Sequence, residues 1–240
     1  MHFDTGRFHL TGYGKPGRSR RLWVYIEGDG RAFVNRRQPS SDPTPNHPLA
    51  LQLALADPAE AVVYLARPCQ YTTPNTQEGC AVRIWTVCRF SEAVCQALDR
   101  AVDQAKQRFS ARRVGLVGYS GGGVLAVLLS VRRQDVDAVI TVASPLDHHA
   151  WTTLHRVTPL MCSLDPMAVA SDSARIPQVH FAGERDTIVP IGVIASFTGR
   201  QPPNSHGRLV SVPGLNHRSG WAEIWPQLLQ RYRSSLLPAP

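Results

Sequence analysis

Residues 118–122 read Gly-Tyr-Ser-Gly-Gly, set between the apolar run Arg113–Gly118 and the apolar run Val124–Val131. A G-x-S-x-G spacing between strand-like and helix-like sequence is what a serine nucleophile requires. The serine sits on a sharp, strained turn, so the positions two away must be glycine for strand and helix to pass each other. The turn pushes Oγ into the open, and the helix N-terminus beneath it offers positive potential to a developing oxyanion. A phosphate-binding loop would instead need G-x-x-x-x-G-K-[ST], and no lysine is present here. Ser120 is therefore the expected nucleophile.

A lone serine hydroxyl is a weak nucleophile and needs a base, itself oriented by a carboxylate. Val179–Pro190, VHFAGERDTIVP, is a short strand followed by a turn with Glu184 and Asp186. Leu209–Trp221, LVSVPGLNHRSGW, is another strand followed by a loop with His217. The order serine, acid, histidine is the one that accompanies this kind of turn. Each candidate follows the C-terminal end of a strand, the edge where sites form in open parallel sheets. Asp186 and His217 are the expected acid and base, with Glu184 the competing acid. His180 falls within a strand and reads as a core imidazole, and His206 precedes its strand and belongs to the opposite edge.

The elements that must position these groups are legible as well. Strand-like runs occur at Phe8–Tyr13, Leu22–Ile26, Ala61–Ala66, Arg113–Gly118, Ala138–Ala143, Val179–Ala182 and Arg208–Val212. Ser91–Phe109 repeats Val94, Leu98, Ala101, Val102, Ala105 and Phe109 at helical spacing. Val124–Val131 and Ala222–Tyr232 are two further helices. Central runs that are apolar throughout mark strands covered on both faces, and strand–helix–strand succession implies a mostly parallel sheet with an antiparallel start. Residues 1–240 are expected to form one α/β domain. Arg31–Pro48, Arg67–Cys88 and Ser144–Arg175 remain as long irregular segments, the last a short lid or cleft-flanking piece.

Composition narrows the function classes. The formal net charge is +8, carried almost wholly by scattered arginines, with Lys15 and Lys106 the only lysines. No basic helix, zinc-ligand spacing or aromatic-basic signature accompanies that charge, so nucleic-acid binding is not expected. No apolar run is long enough to span a bilayer. Five cysteines occur without paired metal spacing. Cys69 and Cys80 bracket the polar loop CQYTTPNTQEGC, where a disulfide is expected and free thiols in a reducing compartment are the alternative. Cys95 reads as a small buried side chain. Asp147, His148, His149 and His155 carry metal-ligand chemistry, but adjacent histidines in an irregular segment rarely converge on one ion, and no metal is expected.

GYSGG, GERDTIVP and PGLNH, in this order and context, resemble the α/β-hydrolase superfamily across essentially the whole chain. YIEGDG, RPCQY and a tryptophan ahead of RFS further resemble a group of bacterial α/β hydrolases that are often exported or lipid-anchored. The resemblance implies an α/β-hydrolase fold, a mostly parallel central sheet with helices on both faces and a short lid or none. It implies a Ser-Asp-His triad without metal or organic cofactor, acting on small-molecule or lipid-like acyl esters or thioesters. Transfer of the acyl group to another acceptor, or a non-catalytic binding role, are the alternatives. The sequence begins MHFDTGRFHL without a leader pattern, so the exported location implied by the resemblance stands against a cytoplasmic one.

Within that frame Glu27-Gly28-Asp29-Gly30 follows an early strand, where the superfamily places a second oxyanion donor. The backbone N–H of Asp29, with that of Gly121, is expected to form the oxyanion hole. The carboxylates of Glu27 and Asp29 must then point away, pairing with Arg31 or with backbone N–H groups of the following loop. Tyr119, Trp151 and Trp221 are the aromatic candidates for the substrate pocket, core packing being the alternative for the tryptophans.

Overall fold

The computed structural model describes residues 1–15, 17–72 and 79–237. Eight strands, β1 (His2–Asp4), β2 (His9–Lys15), β3 (Arg21–Ile26), β4 (Val62–Leu65), β5 (Arg113–Tyr119), β6 (Val136–Val142), β7 (Gln178–Gly183) and β8 (Gly207–Val212), form one sheet. Their spatial order is β1-β2-β4-β3-β5-β6-β7-β8. β2 is antiparallel to both neighbours, and every pairing from β4 through β8 is parallel.

The helices are α1 (Leu49–Ala56), α2 (Glu92–Phe109), α3 (Gly121–Ser130), α4 (His148–His155), α5 (Ala170–Ser173), α6 (Ile191–Arg200) and α7 (Trp221–Tyr232). Successive strand residues serve opposite faces. Leu22, Val24, Ile26, Val114 and Leu116 pack with α2, α3 and α6. Trp23, Tyr25, Val62, Tyr64 and Val117 pack with α1 and α7 on the other face. This is why these strands are apolar throughout rather than alternating.

Four helices escape the sequence reading: α1, α4, α5 and α6, the last carrying two glycines and four β-branched residues that weaken its helical signal. α1 is Leu-Ala-Leu-Gln-Leu-Ala-Leu-Ala, so it has no polar face to set a period. α4 and α5 lie inside Ser144–Arg175, span only eight and four residues, and are too short for a periodic signal. Asp147 starts α4 by accepting the Ala150 N–H at 2.8 Å. α3 begins at Gly121, ahead of its apolar run, because Ser120 is its N-terminal boundary.

Cys69 and Cys80 are bonded to each other, although 73–78 of the loop between them lies outside the described residues. A second bond, Cys88–Cys162, is not signalled by spacing because 74 positions separate its partners. It fastens the segment ahead of α2 to the segment between α4 and α5. Cys95 is free and buried in α2. Alkylation of denatured, unreduced protein should modify Cys95 alone, against five cysteines after reduction, as read by intact mass. Loop-closure entropy assigns the Cys88–Cys162 bond about 4 kcal/mol. The double Cys88→Ser, Cys162→Ser variant should lose stability of that order in urea melts.

Candidate active site

The turn between β5 and α3 holds Ser120 at φ 49°, ψ −123°, a conformation that side-chain-bearing residues rarely adopt. Sterics show what the neighbouring glycines permit. A Cβ at Gly118 would meet the Gly122 carbonyl oxygen at 2.3 Å, and one at Gly122 would meet the Ile26 oxygen at 2.1 Å. The Ser120 N–H donates to Val142 O at 2.8 Å, and its own carbonyl accepts the Gly123 N–H at 3.0 Å. The main chain of Ser120 is therefore clamped between β6 and the first turn of α3. Ser120 lines a cleft at this edge of the sheet.

Asp186 lies in the loop after β7, and His217 in the loop after β8. Asp186 Oδ1 accepts the N–H groups of Ile188 and Val189, both at 2.8 Å, and Oδ2 meets His217 Nδ1 at 2.8 Å. The carboxylate is buried and fully engaged. Two backbone donors fix its orientation, so its remaining oxygen receives the imidazole Nδ1–H and leaves Nε2 as a proton acceptor. The loop that carries His217 is itself anchored: Asn216 Oδ1 accepts the Arg218 and Ser219 N–H groups at 2.9 Å each. The Tyr119 hydroxyl donates to His217 O at 3.2 Å, and the two rings lie 5.3 Å apart. Ser120 and His217 line the same cleft; among the described residues no hydrogen bond joins Ser120 Oγ to His217 Nε2. Such contacts commonly tighten when substrate binds.

The competitors go elsewhere. Glu184 is exposed and accepts the Gly214 N–H at 3.0 Å, holding the turn after β8. His180 is buried in β7 between Thr141 and Gln178, and burial lowers its pKa to about 3. Trp221 does not line the pocket. It is wholly buried, and its indole N–H donates to Asn216 O at 2.9 Å, so it braces the His217 loop from below. The apolar face of α7 draws it into the core beside Trp225.

The loop after β3 passes close to the serine: a Cβ on Gly28 would come within 3.3 Å of Ser120 Cβ. Asp29 points past Gly121, where an added Cβ would sit 2.1 Å from Asp29 Oδ1. Its carboxylate is paired, but with Arg67 and Arg89 rather than with Arg31. Arg31 uses its N–H on Pro43 O, and its side chain borders the cleft. Burial opposes the charge on Asp29, and the guanidinium groups of Arg89 and Arg67 outweigh it, holding the carboxyl below its ordinary pKa. Among the described residues no protein acceptor takes the N–H of Asp29 or of Gly121.

Glu27 is different. It is buried, its Oε1 accepts the Gly28 N–H at 2.9 Å, and its Oε2 has no partner. Burial raises its pKa to about 7, with the Gly28 and Ala50 N–H groups pulling the other way. A carboxyl whose folded pKa exceeds its unfolded one binds its proton more tightly when folded. Stability is therefore unaffected well below pH 4.5 and falls as pH rises from 4.5 towards 7. The upper bound on that loss is about 3 kcal/mol. Urea melts at pH 5 and pH 8 should show the wild type weakening at the higher pH and Glu27→Gln nearly flat. Equal slopes would show that Glu27 ionises freely.

The cleft has a volume of about 410 Å³ and is bordered by Ser120, Tyr119, His217, Trp151, His148 and Arg218 among others. Trp151 lies on α4 and donates its indole N–H to Ile188 O at 2.7 Å. Residues 144–175 thus form a wall of the cleft rather than a separate lid. Of the metal-ligand candidates in that wall, Asp147 caps α4 and accepts the Ser196 hydroxyl at 2.9 Å, while His155 Nε2 meets Ile188 O at 2.7 Å. His148 and His149 turn instead towards Asp165, a residue that sequence reasoning did not single out.

A family model, the dienelactone hydrolase family, matches residues 69–199. No curated protein matches the sequence. Solved structures similar in fold include Est1E from Butyrivibrio proteoclasticus, at 14% identity and a TM-score of 0.66, with 98% of each chain covered. The α/β hydrolase GrgF from Penicillium sp. sh18 has 14% identity and a TM-score of 0.67, covering 98% of this chain and 96% of its own. XC6422 from Xanthomonas campestris, described as an α/β serine hydrolase without a lid, has 12% identity and a TM-score of 0.66, covering 100% of this chain and 95% of its own. At these identities the likeness is one of fold.

Proposed function

The chain belongs to the dienelactone hydrolase family, and from that membership and the geometry of the cleft we propose that it is a serine hydrolase cleaving carboxylic esters or thioesters. The observation that carries the reading is the buried Asp186–His217 contact of 2.8 Å, opening on the cleft that Ser120 lines. In the proposed reaction Ser120 Oγ attacks the carbonyl carbon of the acyl substrate while His217 Nε2 takes its proton. Asp186 holds the imidazole tautomer and stabilises the imidazolium. The N–H groups of Asp29 and Gly121 receive the oxyanion. His217 then protonates the leaving group, and an acyl-Ser120 ester remains. Water attacks that ester with His217 as base, releasing the acid and restoring Ser120.

The cleft volume suits a small-molecule acyl ester. Arg31 and Arg218 at its rim also favour substrates without a cationic acyl part. The whole chain acts as one domain in this reading, with no metal or organic cofactor in the acyl transfer. Two disulfides fit folding in an oxidising compartment. Among the described residues no helix is long and apolar enough to cross a membrane.

Labelling with a fluorophosphonate, followed by peptide mass mapping, tests the reading. The phosphonate is expected on Ser120, and its absence from folded protein, or its appearance on another serine, would overturn the assignment. Ester turnover with competing alcohol acceptors distinguishes the fates of the acyl group: free acid marks hydrolysis, and a new ester marks acyl transfer.

A further inference from the structure

One cluster of ligating side chains stands apart from the Asp186–His217 pair. His148 and His149 open α4, and Asp165 precedes the short 3-10 turn Pro166–Val169. His148 Nε2 is 3.8 Å from Asp165 Oδ1, and His149 Nε2 is 3.7 Å from Asp165 Oδ2. The three donor atoms all lie within 4.8 Å of one another. The two imidazole rings are 4.4 Å apart.

The cluster contains an unanswered polar group. His148 is only 1% exposed, yet neither of its ring nitrogens has a hydrogen-bond partner. Buried polar atoms are nearly always satisfied, and one that is not calls for an explanation. Asp165, in contrast, is held in place, because its Oδ1 accepts the Met167 N–H at 3.0 Å and so starts the turn that follows.

We propose that His148, His149 and Asp165 bind a zinc-class divalent metal ion in the wall of the cleft. Two imidazoles and one carboxylate are a donor set for zinc and its borderline neighbours, whereas calcium and magnesium take oxygen ligands. A tetrahedral ion about 2 Å from each donor needs donors about 3.3 Å apart. With one atom from each residue the donors lie within 4.8 Å of one another, and side-chain rotations that move them by about 1 Å would bring them to that spacing. Three protein ligands leave a fourth position for water or a ligand oxygen, and His148 itself borders the cleft. The ion would tie α4 to the segment ahead of α5, both parts of the same wall. The site is independent of the proposed Ser120 chemistry.

The test uses the full, untagged chain stripped with a chelator. Zinc is titrated calorimetrically against a competing chelator, and cobalt(II) is followed by its visible absorption. One equivalent is expected to bind, with His149→Ala and Asp165→Asn each weakening binding at least tenfold. The His149 side chain is 64% exposed, so its replacement leaves the fold intact. Zinc should also raise the melting temperature of the wild type by several degrees and leave that of His149→Ala unchanged. Absence of saturable binding, or equal affinity in the wild type and His149→Ala, would overturn the proposal.

Discussion

Replacing Ser120 with alanine is expected to lower ester turnover roughly 10⁴–10⁶-fold while leaving the protein folded. The loss is large because the variant has no atom to form the acyl bond, so only substrate binding and the oxyanion donors remain to assist water. Folding should be spared for a specific reason. The strain at Ser120 resides in its backbone, φ 49° and ψ −123°, and alanine carries the same Cβ. The environment around the main chain, with Val142 O and the Gly123 N–H, is unchanged. Ser120→Gly should be as inactive but more stable by about 1 kcal/mol, since it relieves a conformation that costs a side-chain-bearing residue energy. Steady-state kinetics with a p-nitrophenyl ester, beside urea melts, measure both. Undiminished turnover in Ser120→Ala would remove this serine from the chemistry.

The second large effect concerns stability. Asp29→Ala should cost about 3–5 kcal/mol, because it strips the counter-charge from two buried guanidinium groups at once. The side chains of Arg67 and Arg89 are only 5% and 8% exposed. Their other hydrogen bonds go to carbonyl oxygens: Arg67 to Arg89 O, and Arg89 to Thr86 O. Those dipoles orient the arginines but do not neutralise them. Asp29→Asn keeps the shape and a hydrogen-bond acceptor, so its loss should be smaller than that of alanine. Because the loop of Asp29 runs beside Gly121, activity should fall with stability in both variants. A change below about 1 kcal/mol in Asp29→Ala would mean that solvent screens the arginines.

These two residues show how unevenly the chain discloses itself. The role expected of Ser120 rests on four neighbours in sequence, and so does the turn that presents it. The glycine spacing encodes a steric condition that the structure meets at Gly118 and Gly122. Asp29 has the same local clarity in its backbone but not in its side chain. Its partners lie 38 and 60 residues further along, in the RPCQY and RFS stretches, whose resemblance to a family marks them without saying which carboxylate they meet.

The sequence by itself determined what depends on short-range sterics and on burial pattern. Short apolar runs rich in β-branched residues suit strands covered on both faces, and their alternation with helical segments made the parallel sheet legible. Turn residues placed Asp186 and His217 beyond strand ends. Tertiary structure alone decided which distant groups meet. It paired Cys88 with Cys162, drew Trp221 under the Asn216 carbonyl instead of into the pocket, and brought Asp165 to two adjacent histidines. The physical reason is common to all of them. The disulfide and the Asp165 cluster join residues far apart in the chain, and Trp221, though five residues from Asn216, is oriented by a core built from distant strands. Only the packing of the sheet and helices therefore selects one arrangement from many chemically equivalent candidates.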